Sequence, residues 1–200
     1  SEVDKELPLY KVENQTHIHY GKGSVILYAL QDYIGEEKVN NAMRSFLEEY
    51  RYRKPPYPTS LDFLRHLETQ VPDSLNYLIN DWFKEITLYD FRLQEANYTK
   101  LDNNKYEVTL DIEAKKLKAD TIGNEIELPL DEWVDVGFYS AYDDEENATL
   151  MYQERMKFDK EKMNLTFTLD SLPVKAAIDP RRLLIERVYK DNLKSLAENK

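Results

Sequence analysis

The feature that most constrains this chain is a change in the period of its apolar residues near Leu88. Before that point they recur every three or four positions, as Val39, Met43, Phe46, Leu47 and Tyr50 and again as Leu75, Leu78, Ile79, Trp82, Phe83 and Ile86. Such spacing lays one apolar stripe along each of two helices. After Thr87, Tyr106, Val108, Leu110, Ile112 and Ala114 alternate with Glu107, Thr109, Asp111 and Glu113. That is the pattern of an antiparallel strand with one buried face. One element cannot carry both periods. The chain is therefore expected to be α+β, with an N-terminal antiparallel helical segment of about four helices over residues 1–87 and an all-β, Ig-like sandwich domain over residues 88–200.

Within the first part, Ser24 to Ile34 is apolar around most of its circumference, which predicts a helix buried on several sides. Gly35 stops it, and Glu36 and Glu37 start the next. Lys54-Pro55-Pro56-Tyr57-Pro58 reads as an extended turn. Thr59 with Asp62 makes a capping pair for a helix through Leu67, and Pro72-Asp73-Ser74 opens the last helix. In the second part, strands are expected at Phe91 to Thr99, Glu125 to Leu128, Trp133 to Tyr139, Leu150 to Phe158, Asn164 to Leu169 and Lys175 to Ile178. Turn residues such as Asp102-Asn103-Asn104 and Asp143 to Asn147 separate them.

Composition narrows the partners. The net charge is -11, from 38 acidic against 27 basic residues, and the acids are spread along the chain. Neutralising a phosphate backbone takes a clustered Lys/Arg face, whereas the densest basic runs, Arg51 to Lys54 and Lys115 to Lys118, are short and flanked by acids. Both read as solvated faces, and nucleic acid is not an expected partner. The absence of cysteine excludes disulfides and thiolate chemistry. No apolar run reaches the length of a membrane span. The opening SEVDKELPLY is acidic where a signal peptide is basic and then apolar, and it reads as the interior of a longer chain.

Chemistry-bearing motifs are few. His17 and His19 could turn both rings to one side of an extended segment, but the remaining histidine, His66, belongs to another helix and no neighbouring acid completes a ligand set. They read as one exposed and one packed histidine. No His-Glu-x-x-His is present, and no serine sits in a Gly-x-Ser-x-Gly elbow or has an obvious histidine and acid beside it in sequence. Gly21-Lys22-Gly23 lacks the preceding strand and the spacing of a phosphate loop. What remains is Tyr20, at the mouth of the apolar helix, where a phenol could donate to a developing oxyanion with the helix dipole adding to the field.

From Leu7 to Phe83 the order of features is distinctive. Tyr20-Gly21-Lys22-Gly23, an apolar helix, an Ile34-Gly35-Glu36 break, a Phe/Leu/Tyr helix, Thr59-Ser60-Leu61-Asp62-Phe63-Leu64 and a Trp82-Phe83 ending follow one another. In this order the chain resembles the part of the aminopeptidase N family, a family of gluzincin metallopeptidases, that follows the zinc-binding motif. Ile178-Asp179-Pro180 with Asn192 is similar to the closing strand of that family's sandwich domain. Ala114 to Asp120 and Glu125 to Leu130 resemble a bacterial subset fused behind an ABC transporter permease. The resemblance implies that Tyr20 stabilises the oxyanion of a peptide substrate's tetrahedral intermediate, with Lys22 pairing locally and Gly23 permitting close packing. It implies no cofactor in this stretch and zinc in the full-length parent, held upstream. It implies a membrane-associated bacterial parent with this part extracytoplasmic, and a fragment inactive alone. An apolar surface uncovered by truncation would then favour self-association. The alternative is a non-catalytic interaction module of a transporter-associated protein.

Overall fold

The computed structural model describes residues 5–12 and 17–199, the side chains of His17 and His19 excepted. The protein is mixed helix and sheet and divides into two compact units, Ser1–Thr87 with Lys118–Ile126, and Leu88–Leu117 with Glu127–Lys200. No helix among the described residues is long and apolar enough to cross a membrane.

In the first unit, a π-helical turn at His17–Lys22 runs into α1 (Gly23–Ile34). Gly35, at φ 97°, closes α1 by donating its amide to the Gln31 carbonyl at 2.8 Å. That left-handed backbone is open to glycine at little cost, so helix and break fall where the sequence puts them. Glu36 and Glu37 then lie in the first turn of α2 (Glu36–Tyr50), against the positive end of its dipole. A capping box starts α3 (Ser60–Glu68), with the Asp62 carboxylate accepting from the Thr59 amide at 2.8 Å. The Tyr50 hydroxyl donates to the same carboxylate at 2.9 Å, which ties α2 to α3.

Two expectations about these helices need correction. The helix α1 buries Ile26, Ala29, Leu30 and Ile34, but Val25 and Tyr28 on its other side are exposed. The final helix, expected to run on to Ile86, is instead a 3-10 turn at Asp73–Leu75, a single α turn α4 (Tyr77–Ile79) and a π turn at Asn80–Lys84. Burial still follows the apolar stripe, since Leu78, Ile79, Trp82 and Phe83 are all buried and Trp82 meets the Tyr33 ring edge-on at 5.3 Å. Glu85 is extended, and the β-branched Ile86 and Thr87 already belong to a strand.

The strands are β1 (Ile86–Lys100), β2 (Tyr106–Ala119), β3 (Glu125–Leu128), β4 (Glu132–Tyr142), β5 (Ala148–Phe158), β6 (Lys162–Leu169), β7 (Lys175–Ile178), β8 (Leu193–Ser195) and β9 (Ala197–Glu198). One sheet has the order β3-β2-β1-β9, with β6 also paired to β2. The other is β5-β4-β7-β8. In the second unit, β2 and β6 are antiparallel with Leu110 opposite Leu165 and Val108 opposite Phe167. Val108, Leu110, Ile112 and Ala114 are buried, as alternation requires. Phe91 and Phe158 meet edge-on at 5.8 Å, and Phe138 and Phe167 at 5.0 Å.

The same buried row of β2 continues at Lys116, which corrects the reading of Lys115 to Lys118 as a solvated face. Lys116 is only 8% exposed, and its ammonium donates to Glu132 Oε1 at 2.6 Å. The Tyr89 hydroxyl donates to the other oxygen of Glu132 at 3.1 Å. A second buried acid, Asp135, takes Arg155 at 2.8 Å and Arg181 at 2.9 Å. These pairs let charged residues occupy core positions that an isolated charge could not hold.

Gly137 marks a close approach inside this unit. A Cβ there would lie 2.8 Å from Pro180 Cγ and 2.9 Å from Leu150 Cδ1, inside van der Waals contact. The Pro180 ring cannot swing aside, so Gly137→Ala is expected to destabilise the second unit by about 1–3 kcal/mol. Urea unfolding read by circular dichroism measures it. A variant as stable as the parent sequence would mean that β4 and the Pro180 turn separate freely.

Candidate functional site

Among the described residues helical backbone is already present at His17, so Tyr20 lies inside a helical turn rather than at the mouth of α1. Lys22, expected just outside the helix, has helical angles of φ -63° and ψ -42°. Tyr20 is therefore not at the dipole end where the sequence places it. Insertion of a π turn widens the helix, and such turns recur where a side chain is presented for function. Tyr20 is 73% exposed. With Leu9, Tyr10, Leu27, Phe63 and Phe83 it borders a hollow of about 390 Å³. A phenol at such a rim can donate to an oxygen while the hollow receives an apolar group.

The flanking residues behave differently from each other. Lys22 pairs with Glu6 at 2.9 Å, sixteen residues away in sequence, so its ion pair ties the segment around Leu7 to the helix rather than closing a local turn. A Cβ on Gly23 would meet Leu9 Cδ1 at 3.5 Å, an ordinary contact. Gly23 is buried, but close backbone approach does not require it to be glycine. Ser24 donates its hydroxyl to the Gly21 carbonyl at 2.9 Å, which fastens the π turn to α1.

A second constellation was not evident in the sequence. Ser45 Oγ lies 2.8 Å from His66 Nδ1, and His66 Nε2 lies 2.9 Å from Glu49 Oε2. The serine, histidine and acid stand in a row, as in a hydrolytic triad. Their roles differ from a triad's. Ser45 donates its proton back to the Ala42 carbonyl at 3.0 Å, so the ring nitrogen facing it is best placed to donate. Glu49 Oε2 faces Nε2 without the geometry of a hydrogen bond, so the acid is not coupled to the ring as a triad requires. Hydrogen bonding from Arg65 is the largest influence holding the Glu49 carboxyl below its ordinary range. His66 is itself buried, edge-on to Phe46 at 5.8 Å. The row works as a polar seam between α2 and α3. Its only trace in the sequence is the one-turn spacing of Ser45 and Glu49, because His66 joins them only once the helices pack.

Histidines 17 and 19, weighed above as metal ligands, have side chains outside those described. Among the described residues no group of three or more His, Asp or Glu could hold a metal ion. His66 is engaged with Ser45 and Glu49, and the hollow beside Tyr20 is lined by apolar and hydroxyl groups. The described residues therefore do not fit a zinc ion, which needs three or four nitrogen or carboxylate ligands. Compared with models of known protein families and with proteins of curated function, the sequence matches none.

Proposed function

We propose that this chain is the part of an aminopeptidase N-like zinc peptidase that follows the metal-binding motif. In this reading Tyr20 donates its phenolic proton to the carbonyl oxygen of a peptide substrate as that oxygen gains negative charge. The observation that carries the proposal is the presentation of Tyr20 on a π turn, exposed, at the rim of an apolar hollow. Lys22 with Glu6, and Ser24 with Gly21, hold the turn so that the phenol keeps its position. The metal is no part of what the described residues supply, and no step is assigned to it. The two sheets are read as an Ig-like sandwich that supports the helical unit. The parent is read as a bacterial, membrane-associated protein with this part outside the cytoplasm.

The test is made in the full-length parent. Tyr20→Phe there is expected to lower kcat on an aminoacyl anilide by roughly 10²–10³, the usual loss of one oxyanion donor, with KM little changed. This chain alone, supplied with zinc, is expected to hydrolyse nothing. Wild-type kcat in the Phe variant, or turnover by the isolated chain, would remove the reading. The second reading, a non-catalytic docking module, is favoured by the exposed Val25 and Tyr28 on α1. A coding sequence with an intact His-Glu-x-x-His ahead of residue 1 would count against it. If the same apolar face draws two copies together, gel filtration will show an apparent mass that rises with concentration.

A further inference from the structure

The second unit has a polar cleft that the reading above does not use. It encloses about 270 Å³ beside the turn that leaves β7, and Tyr139, Tyr142, Arg182, Tyr189 and Lys190 border it. The turn is backbone-strained. Asp179 at φ 46° and Arg182 at φ 53° both lie in the left-handed region, which aspartate tolerates and arginine seldom adopts. The buried Asp179 carboxylate holds this geometry by accepting from the amides of Leu183 at 3.0 Å and Leu184 at 2.8 Å. The Asp179 amide donates to the Asp135 carbonyl at 2.8 Å, and the Arg182 amide to the Asp179 carbonyl at 2.9 Å. Four hydrogen bonds thus fix these residues, and what they fix is where Arg182 leaves the chain.

Arg182 is delivered to the cleft rim with its guanidinium 5.0 Å from the centre of the Tyr189 ring. Its charge is met by the Glu145 carboxylate. That partner comes from the tip of the loop between β4 and β5, where Asp144 Oδ1 accepts from the Glu146 and Asn147 amides and leaves Glu145 outermost. Both side chains are half exposed, 46% for Arg182 and 61% for Glu145. A pair so exposed is worth no more than about 1 kcal/mol and is readily exchanged. Next to Tyr189, the exposed Lys190 makes no ion pair with the described residues, although acids outnumber bases in the chain as a whole. Arg181, by contrast, is committed to Asp135.

We propose that this cleft binds a carboxylate carried on a ring-sized apolar group, with Arg182 and Lys190 receiving the anion, the Tyr142 and Tyr189 rings flanking the apolar part, and Glu145 as a built-in competitor. A planar guanidinium with a tyrosine behind it can match a carboxylate in two parallel hydrogen bonds, and its single contact with Glu145 shows that it is already turned to receive one. Two of the phenols bounding the cleft are already spent on backbone, Tyr139 donating to the Pro180 carbonyl at 3.3 Å and Tyr189 to the Leu184 carbonyl at 2.9 Å, which holds their rings as walls of the cleft. Burial raises the pKa of both Tyr139 and Tyr189, so they keep their protons across the working range. The volume suits a free aromatic acid or the terminal carboxylate of a peptide ending in an aromatic residue, and those two sources share the chemistry proposed.

The experiment is a ¹H–¹⁵N titration of the whole chain at fixed ionic strength with sodium benzoate and, separately, with N-acetyl-phenylalanine. The corresponding amides serve as neutral controls and inorganic phosphate as a competing anion. Saturable shifts of Arg182, Tyr189 and Lys190 are expected with a dissociation constant of about 1–10 mM, ordinary for so small a ligand. Glu145→Gln should tighten binding about 3-fold, and Arg182→Gln weaken it at least about 10-fold. Lys190→Gln, at an exposed position that folding does not need, should weaken it about 3-fold. Stronger binding of one acid identifies the source. Equal binding of the amides, preference for phosphate, or weaker binding by the Glu145 variant would each overturn the proposal. None of these outcomes depends on Tyr20.

Discussion

Replacing Lys116 by methionine is expected to destabilise the second unit by about 3–5 kcal/mol. The variant keeps the volume and the apolar stem but leaves the Glu132 carboxylate, 2% exposed, with the Tyr89 hydroxyl and without the ammonium 2.6 Å away. The cost comes from the charge left behind, not from the lost attraction, because both ions had already given up their hydration to be buried. The double variant Lys116→Met, Glu132→Leu should therefore recover most of the loss. Urea unfolding of the three proteins measures both effects. If the single variant is as stable as the wild type, or the double variant is worse than the single, the pair is not the buried unit described.

The stability of the second unit is expected to fall as pH rises from about 4.5 to about 8, contrary to the usual trend. Burial raises the carboxyl of Glu186 from 4.5 to about 8 and that of Asp179 from 3.8 to about 6. A carboxyl that holds its proton more tightly in the folded state contributes stability in full below its unfolded pKa. That contribution drains away as pH climbs through the folded value. For Glu186 the span corresponds to a loss on the order of 4 kcal/mol. The local geometry agrees with a protonated Glu186. Its Oε2 lies 2.6 Å from the Asn192 amide, short for an N–H donor and ordinary for an O–H donor. Turning that amide end for end lets Glu186 donate to Asn192 Oδ1, a buried oxygen otherwise without a partner. Glu186→Gln should flatten the dependence between pH 5 and pH 8.5. An unfolding midpoint that rises over this interval would contradict the assignment.

The first unit should respond in the opposite sense. Asp62 is lowered chiefly by the Thr59 amide, Asp120 by Asn124 and Glu49 by Arg65. Such groups stabilise above their unfolded values and lose that contribution as pH falls through the lowered ones. The two units are thus weakened from opposite ends of the pH scale. With Trp82 in the first and Trp133 in the second, each transition can be followed by fluorescence after the other tryptophan is replaced by phenylalanine.

Local signals in the sequence were reliable where one residue or one period sets the structure. Gly35 ends α1, Thr59 and Asp62 cap α3, and the alternation in β2 names its buried face. What could not be read arises from pairings distant in sequence. Alternation gives the face that Lys116 occupies but not the acid, on another strand, that makes it tolerable there. Ser45 and Glu49, one helical turn apart, have nothing to single them out from other such pairs until α3 brings His66 to them. Likewise β8 and β9 are short edge strands of mixed composition whose only reason to be extended is the strand beside them. Tyr20 was legible as a residue, but not the π turn beneath it, which depends on how α1 is entered. The Arg182 cleft had no sequence signature, since two left-handed residues in Asp179-Pro180-Arg181-Arg182 follow from the bonds that Asp179 makes after folding.

The pairing of β9 with β1 bears on the order of events during folding. Asn97 lies beside Ala197 in a parallel rung, and Asn199 donates to Tyr98 and Thr99. Each of these contacts joins positions about a hundred residues apart, so the chain between them must be gathered before any of them forms. While residues 197–199 are still being synthesised, that edge of β1 has no partner there. For that interval a nascent chain presents an unpaired strand edge, the feature by which partly folded β proteins find one another. Aggregation during expression is accordingly expected to rise when this short rung is removed, even though it contributes little to the finished core.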